Sequence, residues 1–453
     1  MDFFSEKELV TQTGHEMGDW PLVIIKELID NALDACEEAD IPPVIDVSAD
    51  PGGISVRDNG PGIPEDTLKG AMDFTVRVSN REAYVSPCRG AQGNALKTVL
   101  PMPWVVDPDY GRLVVSTHGK RHVITCGADP ISQRPIIHDD LENVKLRTSA
   151  NGKKASFLDG TEVRTEWGKR TDDDGTVAWP FMRFHPGADS FRDRSYALVE
   201  GFALFNPHST IRLDWFGTKT TWRATDRNWQ KWKPNKPTSP HWYELPHFER
   251  LIGAYITHDR ERGTSDRLVS DLLREFDGLQ GSGKLAKVLA DSDLKRVKLS
   301  ELVIGDRLDG DRIGRLLTAM QNHTRPVNPL LLGTVGEGHF RERLLDIGIK
   351  EESFHYAKKV SKEGLPWVLE VGFGWLAGHN DQDSRKIYTG VNWSAAIKNP
   401  FRSFGTTGEG LETALADARA TRTEPIVYLL HLAQPRVEYT DRGKSALVIG
   451  GEA

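Results

Sequence analysis

Cysteine is scarce in this chain: Cys36, Cys88 and Cys126 are the three among 453 residues, and none forms a CxxC pair. That excludes a disulfide framework and gives no zinc-site spacing, which suits a reducing interior. Long apolar runs are missing too, and no stretch approaches the roughly 18 residues that a transmembrane helix needs. The opening MDFFSEKELV lacks a basic region followed by an apolar core, so no secretory signal is expected. Positive charge is not in excess: 58 Lys and Arg face 65 Asp and Glu, a formal net charge of -7. This argues against wholesale electrostatic wrapping of nucleic acid but leaves room for a local basic patch. At 453 residues the chain is too long for one ordinary core, so two to four domains are expected. The expectation is a soluble, cytoplasmic, multidomain protein with no membrane partner.

What is present begins with WPLVIIKELIDNALDACEEAD, residues 20–40. Leu22, Ile25, Leu28, Ile29, Ala32, Leu33 and Cys36 recur at helical spacing and predict one apolar face. Glu27, Asn31 and Asp34 fall on or beside the neighbouring face, with Glu27 and Asn31 one turn apart. An amide oxygen there can hold a hard Mg²⁺ ion, and a carboxylate can polarise an attacking water. A solvated helix edge is the alternative. The strand-like run VIDVSADPGGISVR then ends at Arg57 and meets Asp58, Asn59, Gly60, Pro61, Gly62, Ile63 and Pro64. Two glycines and two prolines in seven residues predict a tight loop.

Further on, Arg89, Gly90, Ala91, Gln92, Gly93, Asn94 and Ala95 lead into an apolar run that reads as a helix start. Small residues at such a start let backbone N–H groups approach an anion, as phosphate binding requires. It is no Walker loop, since it lacks the lysine followed by Ser or Thr. In FLDGTEVRTEW, Gly160 and Thr161 sit between strand-like runs, where a hydroxyl can serve an adenine pocket or cap a hairpin.

Together ELIDNALDA (27–35), DNGPGI (58–63), RGAQGNA (89–95) and DGTEV (159–163) resemble the four ATP-site boxes of the GHKL superfamily. The resemblance implies an α+β fold that begins with a Bergerat-type α/β sandwich binding ATP and Mg²⁺. It also implies Glu27 as general base, Asn31 as Mg²⁺ ligand and Asp58 as acceptor of the adenine amino group. Gly60, Gly62 and Ile63 would line the base, Thr161 would complete its pocket, and Asp34 would belong to the same box as Glu27. Residues 74–95, with Arg89, Gly90, Gln92, Gly93, Asn94 and Ala95, would form the lid over the triphosphate. Ala95 stands where the family has its last lid glycine, and alanine disfavours positive φ.

The remainder resembles the B subunit of topoisomerase VI. LVEGFALFNPHSTIRLDW (198–215) is similar to the end of its ATPase domain, with an Asn-Pro-His turn. The implied organisation is an ATPase domain over 1–218, a basic Trp-rich linker or loop over 219–240, a helix-two-turn-helix-like domain over 241–325 and a transducer-like domain over 326–453. In the linker Lys219, Arg223, Arg227, Lys231, Lys233 and Lys236 alternate with Trp222, Trp229 and Trp232. Such a segment can bind nucleic acid, or its tryptophans can pack back on the domain. Lys284, Lys287, Lys295, Arg296 and Lys298 are either phosphate contacts or an ordinary charged helix face. Lys444, in YTDRGKSA, matches the transducer lysine that reaches the ATP γ-phosphate. The implied function is an ATPase that dimerises on binding ATP and gates DNA with a separate DNA-cleaving A-type subunit. The other reading is an ATP-switched DNA clamp without topoisomerase activity.

Overall fold

The computed structural model describes residues 4–74, 83–89, 95–129, 135–143, 160–171, 177–181, 188–261, 263, 265–361, 364–378, 385–402, 410–439 and 446–447. Among them no helix is long and apolar enough to cross a membrane.

The first domain is built on an eight-stranded sheet. Its strands run in the order Thr218–Trp222, Thr210–Trp215, Val44–Asp50, Gly53–Arg57, Thr161–Glu166, Arg112–Thr117, Lys120–Ala128 and Pro135–Asn143. Val44–Asp50 alternates as its sequence predicts, burying Ile45, Val47 and Ala49. It pairs in parallel with Thr210–Trp215. A parallel pair needs a crossover, and the helix Ala188–Phe205 lies in that connection, packed on the sheet beside the helix Trp20–Glu38. Trp20–Glu38 carries Pro21 in its first turn, where a missing N–H costs nothing. Leu22, Ile25, Leu28, Ile29, Ala32, Leu33 and Cys36 are all buried, as the periodicity requires.

A helical region follows, with helices Leu245–Glu261, Val269–Leu273, Ser282–Asp291 and Gly310–His323. Phe248, Ile252, Phe276, Leu285, Ile313 and Leu316 are buried in its centre. The last domain is a five-stranded sheet in the order His355–Ser361, Trp367–Trp375, Ile426–Ala433, Lys386–Val391 and Ser394–Ala395. The helix Glu337–Ile347 packs on Trp367–Trp375.

Two expectations change here. Thr218–Trp222 is an edge strand of the first sheet, paired antiparallel with Thr210–Trp215, so the segment from 219 onward begins inside that domain. The rest of the basic Trp-rich segment is packed in part, with Arg223 and Arg227 exposed. Trp222 and Trp232 are buried, and the Trp229 indole N–H donates to the Thr334 carbonyl. The Lys231 ammonium is buried 2.8 Å from Glu37, Lys233 pairs with Asp40, and Lys236 lies over the Trp232 ring. Lys231 serves as an internal counter-ion, and the nucleic-acid reading of this segment fails at that residue and at Trp222 and Trp232.

The domains meet at a buried charge cluster. The Arg89 guanidinium, with 0% of its side chain exposed, donates to both carboxylate oxygens of Glu37 at 2.7 and 2.8 Å and to Asp34 at 2.7 Å. It also donates to the Asn206 side chain and to the Trp393 carbonyl. His208 lies 3.0 Å from Glu37. Burial alone would raise the Glu37 carboxyl, but Arg89, Lys231 and His208 hold it well below its ordinary value.

Replacing Arg89 with Met should therefore destabilise the protein by about 3–5 kcal/mol, the usual cost of leaving a buried charge without its partner. Chemical denaturation checks this. Because Glu37 is depressed in the folded state, its contribution is present above the ordinary carboxylate range and is lost as pH falls through the folded value. Glu37→Gln should flatten the acid limb of a stability-against-pH curve, and an unchanged limb would refute that assignment.

Candidate functional site

The helix Trp20–Glu38 and the loop after Gly53–Arg57 carry the site. Glu27 keeps 21% of its side chain exposed, with the Lys26 ammonium 3.8 Å from its Oε1. Asn31, one turn on, is exposed. These two side chains are therefore available to a ligand, while the opposite face of the helix is committed to the core.

Asp58 is buried at the end of its strand. Its Oδ1 accepts the Gly60 N–H at 2.7 Å and the Thr161 N–H at 3.2 Å. Its own N–H donates to the Thr161 carbonyl at 2.9 Å. Burial pushes the Asp58 carboxyl up, against the pull of those two N–H donors. With Oδ1 held from the backbone, Oδ2 remains to accept from a ligand amino group.

Around Asp58 two positions have no room for a side chain. Gly62 has φ +90, and a Cβ there would stand 2.7 Å from the His118 ring. Gly160 has φ +106, and a Cβ there would lie 2.0 Å from the Asp58 carbonyl oxygen. Only glycine meets both conditions. Thr161 is buried, and Ile63 donates its N–H to the Thr117 hydroxyl at 2.9 Å. Sequence reasoning missed Thr117 and His118 as supports of this loop. His118 and Gly119, both at positive φ, form a hairpin turn between Arg112–Thr117 and Lys120–Ala128. Such a turn can be read from a sequence, but its contact with a loop more than fifty residues earlier cannot.

Arg89 departs from the expectation: it is engaged with Asp34 and Glu37, so that its wholly enclosed guanidinium cannot touch a nucleotide in this structure. Residues 83–89 of the expected lid are also anchored. The Val85 N–H donates to the Tyr243 hydroxyl at 2.9 Å, and the Thr238 hydroxyl donates to the Val85 carbonyl at 2.6 Å. Ala95 opens the helix Ala95–Val99. Gly90, Gln92, Gly93, Asn94 and Lys444 lie outside the described residues.

No group of three or more His, Cys, Asp or Glu side chains suited to a metal occurs among the described residues. Beside nucleotides, Mg²⁺ is usually held by one or two protein oxygens together with phosphates and water. The exposed amide of Asn31, one turn from Glu27, fits that manner of binding.

Residues 19–99 match the family model described as histidine kinase-, DNA gyrase B-, and HSP90-like ATPase. The chain is 25% identical over 447 residues to the B subunit of type 2 DNA topoisomerase 6 from Archaeoglobus fulgidus, covering 94% of this chain and 66% of the relative. It is 23% identical over 456 residues to the corresponding protein of Methanococcoides burtonii, covering 94% and 64%. The chain thus spans about two thirds of the length of these relatives. Among solved structures, the ATPase region of Saccharomyces cerevisiae topoisomerase II is matched at 11% identity with a TM-score of 0.39, covering 94% of this chain and 76% of that one. Residues 19–99 are thus similar to histidine kinase-, DNA gyrase B-, and HSP90-like ATPases, and most of the chain is similar to the B subunit of type 2 DNA topoisomerase 6.

Proposed function

We propose that this chain binds and hydrolyses ATP and uses the cycle to dimerise and gate DNA, with strand cleavage left to a separate A-type subunit. The observation that carries the ATP reading is Asp58: a buried carboxylate with one oxygen held by two backbone N–H groups, beside a loop that admits only glycine at Gly62. The adenine amino group would donate to its other oxygen. Glu27 would take the proton from the water that attacks the γ-phosphorus. Asn31 would hold Mg²⁺, whose charge offsets that of the phosphates. The gating and partner reading rests on similarity to topoisomerase 6 B subunits across 94% of this chain.

Lys444 would sense the γ-phosphate from the last domain. Tyr439 and Leu447 pair across the segment that contains it, and Tyr439 lies within electrostatic reach of Lys26, the neighbour of Glu27. A lysine contact present with ATP and absent with ADP would let the last domain distinguish the two.

Glu27→Gln should retain ATP binding and lose hydrolysis by about 10²–10⁴-fold, the usual contribution of a general base. Steady-state turnover beside equilibrium binding checks this, and parental turnover would remove Glu27 from the role. Asp58→Ala should weaken ATP and ADP binding alike, by about 10- to 100-fold for a hydrogen bond to a charged group.

Lys444→Ala should bind ADP as the parent does while losing hydrolysis and any ATP-specific change of shape. Small-angle scattering with ADP and with a non-hydrolysable ATP analogue reads the second. Identical parental profiles with both nucleotides would contradict the switch.

A further inference from the structure

The turn Asn392–Trp393 in the last domain leads directly to a contact with the helix Trp20–Glu38. Both turn residues have positive φ, 49 and 63, which is costly for tryptophan and is kept only where surroundings impose it. Here they do. The Asn392 side chain exchanges hydrogen bonds with the backbone of Gln434 at 2.9 Å in each direction. The Trp393 N–H donates to His431 at 3.0 Å, and its carbonyl accepts from Asn206 at 2.9 Å. The next residue, Ser394, donates its hydroxyl to Asp30 Oδ2 at 2.7 Å, both groups being buried. The same oxygen accepts from Lys26 at 2.7 Å, and Lys26 lies 3.8 Å from Glu27.

We propose that Ser394 and Asp30 are positioning residues for hydrolysis, through which the last domain sets the placement of Lys26 and hence of Glu27. This rests on the reading of Glu27 as general base. A lysine fixed by Asp30 holds the Glu27 carboxylate to one side of its range, and Ser394 orients the Asp30 carboxylate that does the fixing. Docking of the last domain thus becomes a condition for fast hydrolysis rather than only its consequence. Small misplacements of a catalytic group cost rate far more than they cost binding.

The test is steady-state ATP hydrolysis by the full chain. Ser394→Ala should lower kcat on the order of 10-fold with KM for ATP and affinity for ADP unchanged. Ser394→Thr, which keeps the hydroxyl, should recover most of the rate. In a Glu27→Gln background, Ser394→Ala should cause no further loss, because both act on one step. Parental kcat in Ser394→Ala would overturn the proposal, as would an equal loss in the Glu27→Gln background. Parental turnover in Glu27→Gln alone would instead remove the general-base reading, which separates the two failures.

Discussion

The bidentate pair between Arg89 and Glu37 is the contact on which the arrangement of domains depends. Removing these charges from water costs several kcal/mol per ion, so the cluster persists only because each charge is answered. Lys231 and His208 complete Glu37, while Asp34, Asn206 and the Trp393 carbonyl complete Arg89. The partners come from the helix Trp20–Glu38, the Asn206–His208 turn, the Trp-rich segment and the last domain. A shift of any one removes a partner from a buried charge, which favours holding these pieces in one register.

That rigidity serves the site. The apolar face of Trp20–Glu38 is fixed against the sheet, and its end is fixed by Glu37, so Glu27 and Asn31 project from a braced helix. The loop at Asp58 is braced separately, by Gly160 packed against the Asp58 carbonyl and by Thr117 holding Ile63. Nucleotide base and triphosphate would thus be served by two supports that meet through the sheet.

Much of this was legible in the sequence. The buried face of Trp20–Glu38 followed from helical spacing, and the loop at Asp58 followed from its glycines and prolines. Local patterns report such features because they arise within a few residues. The fate of Arg89 was not legible, because a guanidinium near a glycine-rich turn suits a phosphate as well as a carboxylate. Its partners Glu37 and Asn206 lie 52 and 117 residues away. Lys231 and Trp232 were ambiguous for the same reason: an alternation of basic and aromatic residues looks alike whether it faces water or a neighbouring domain.

The most direct test of the proposed ATP site is a crystal structure of the chain with Mg²⁺ and a non-hydrolysable ATP analogue. It should show the adenine amino group on Asp58, Mg²⁺ on the Asn31 amide oxygen and a water within hydrogen-bond reach of both Glu27 and the γ-phosphate. Nucleotide bound elsewhere, or bound with Glu27 turned away from the γ-phosphate, would contradict it.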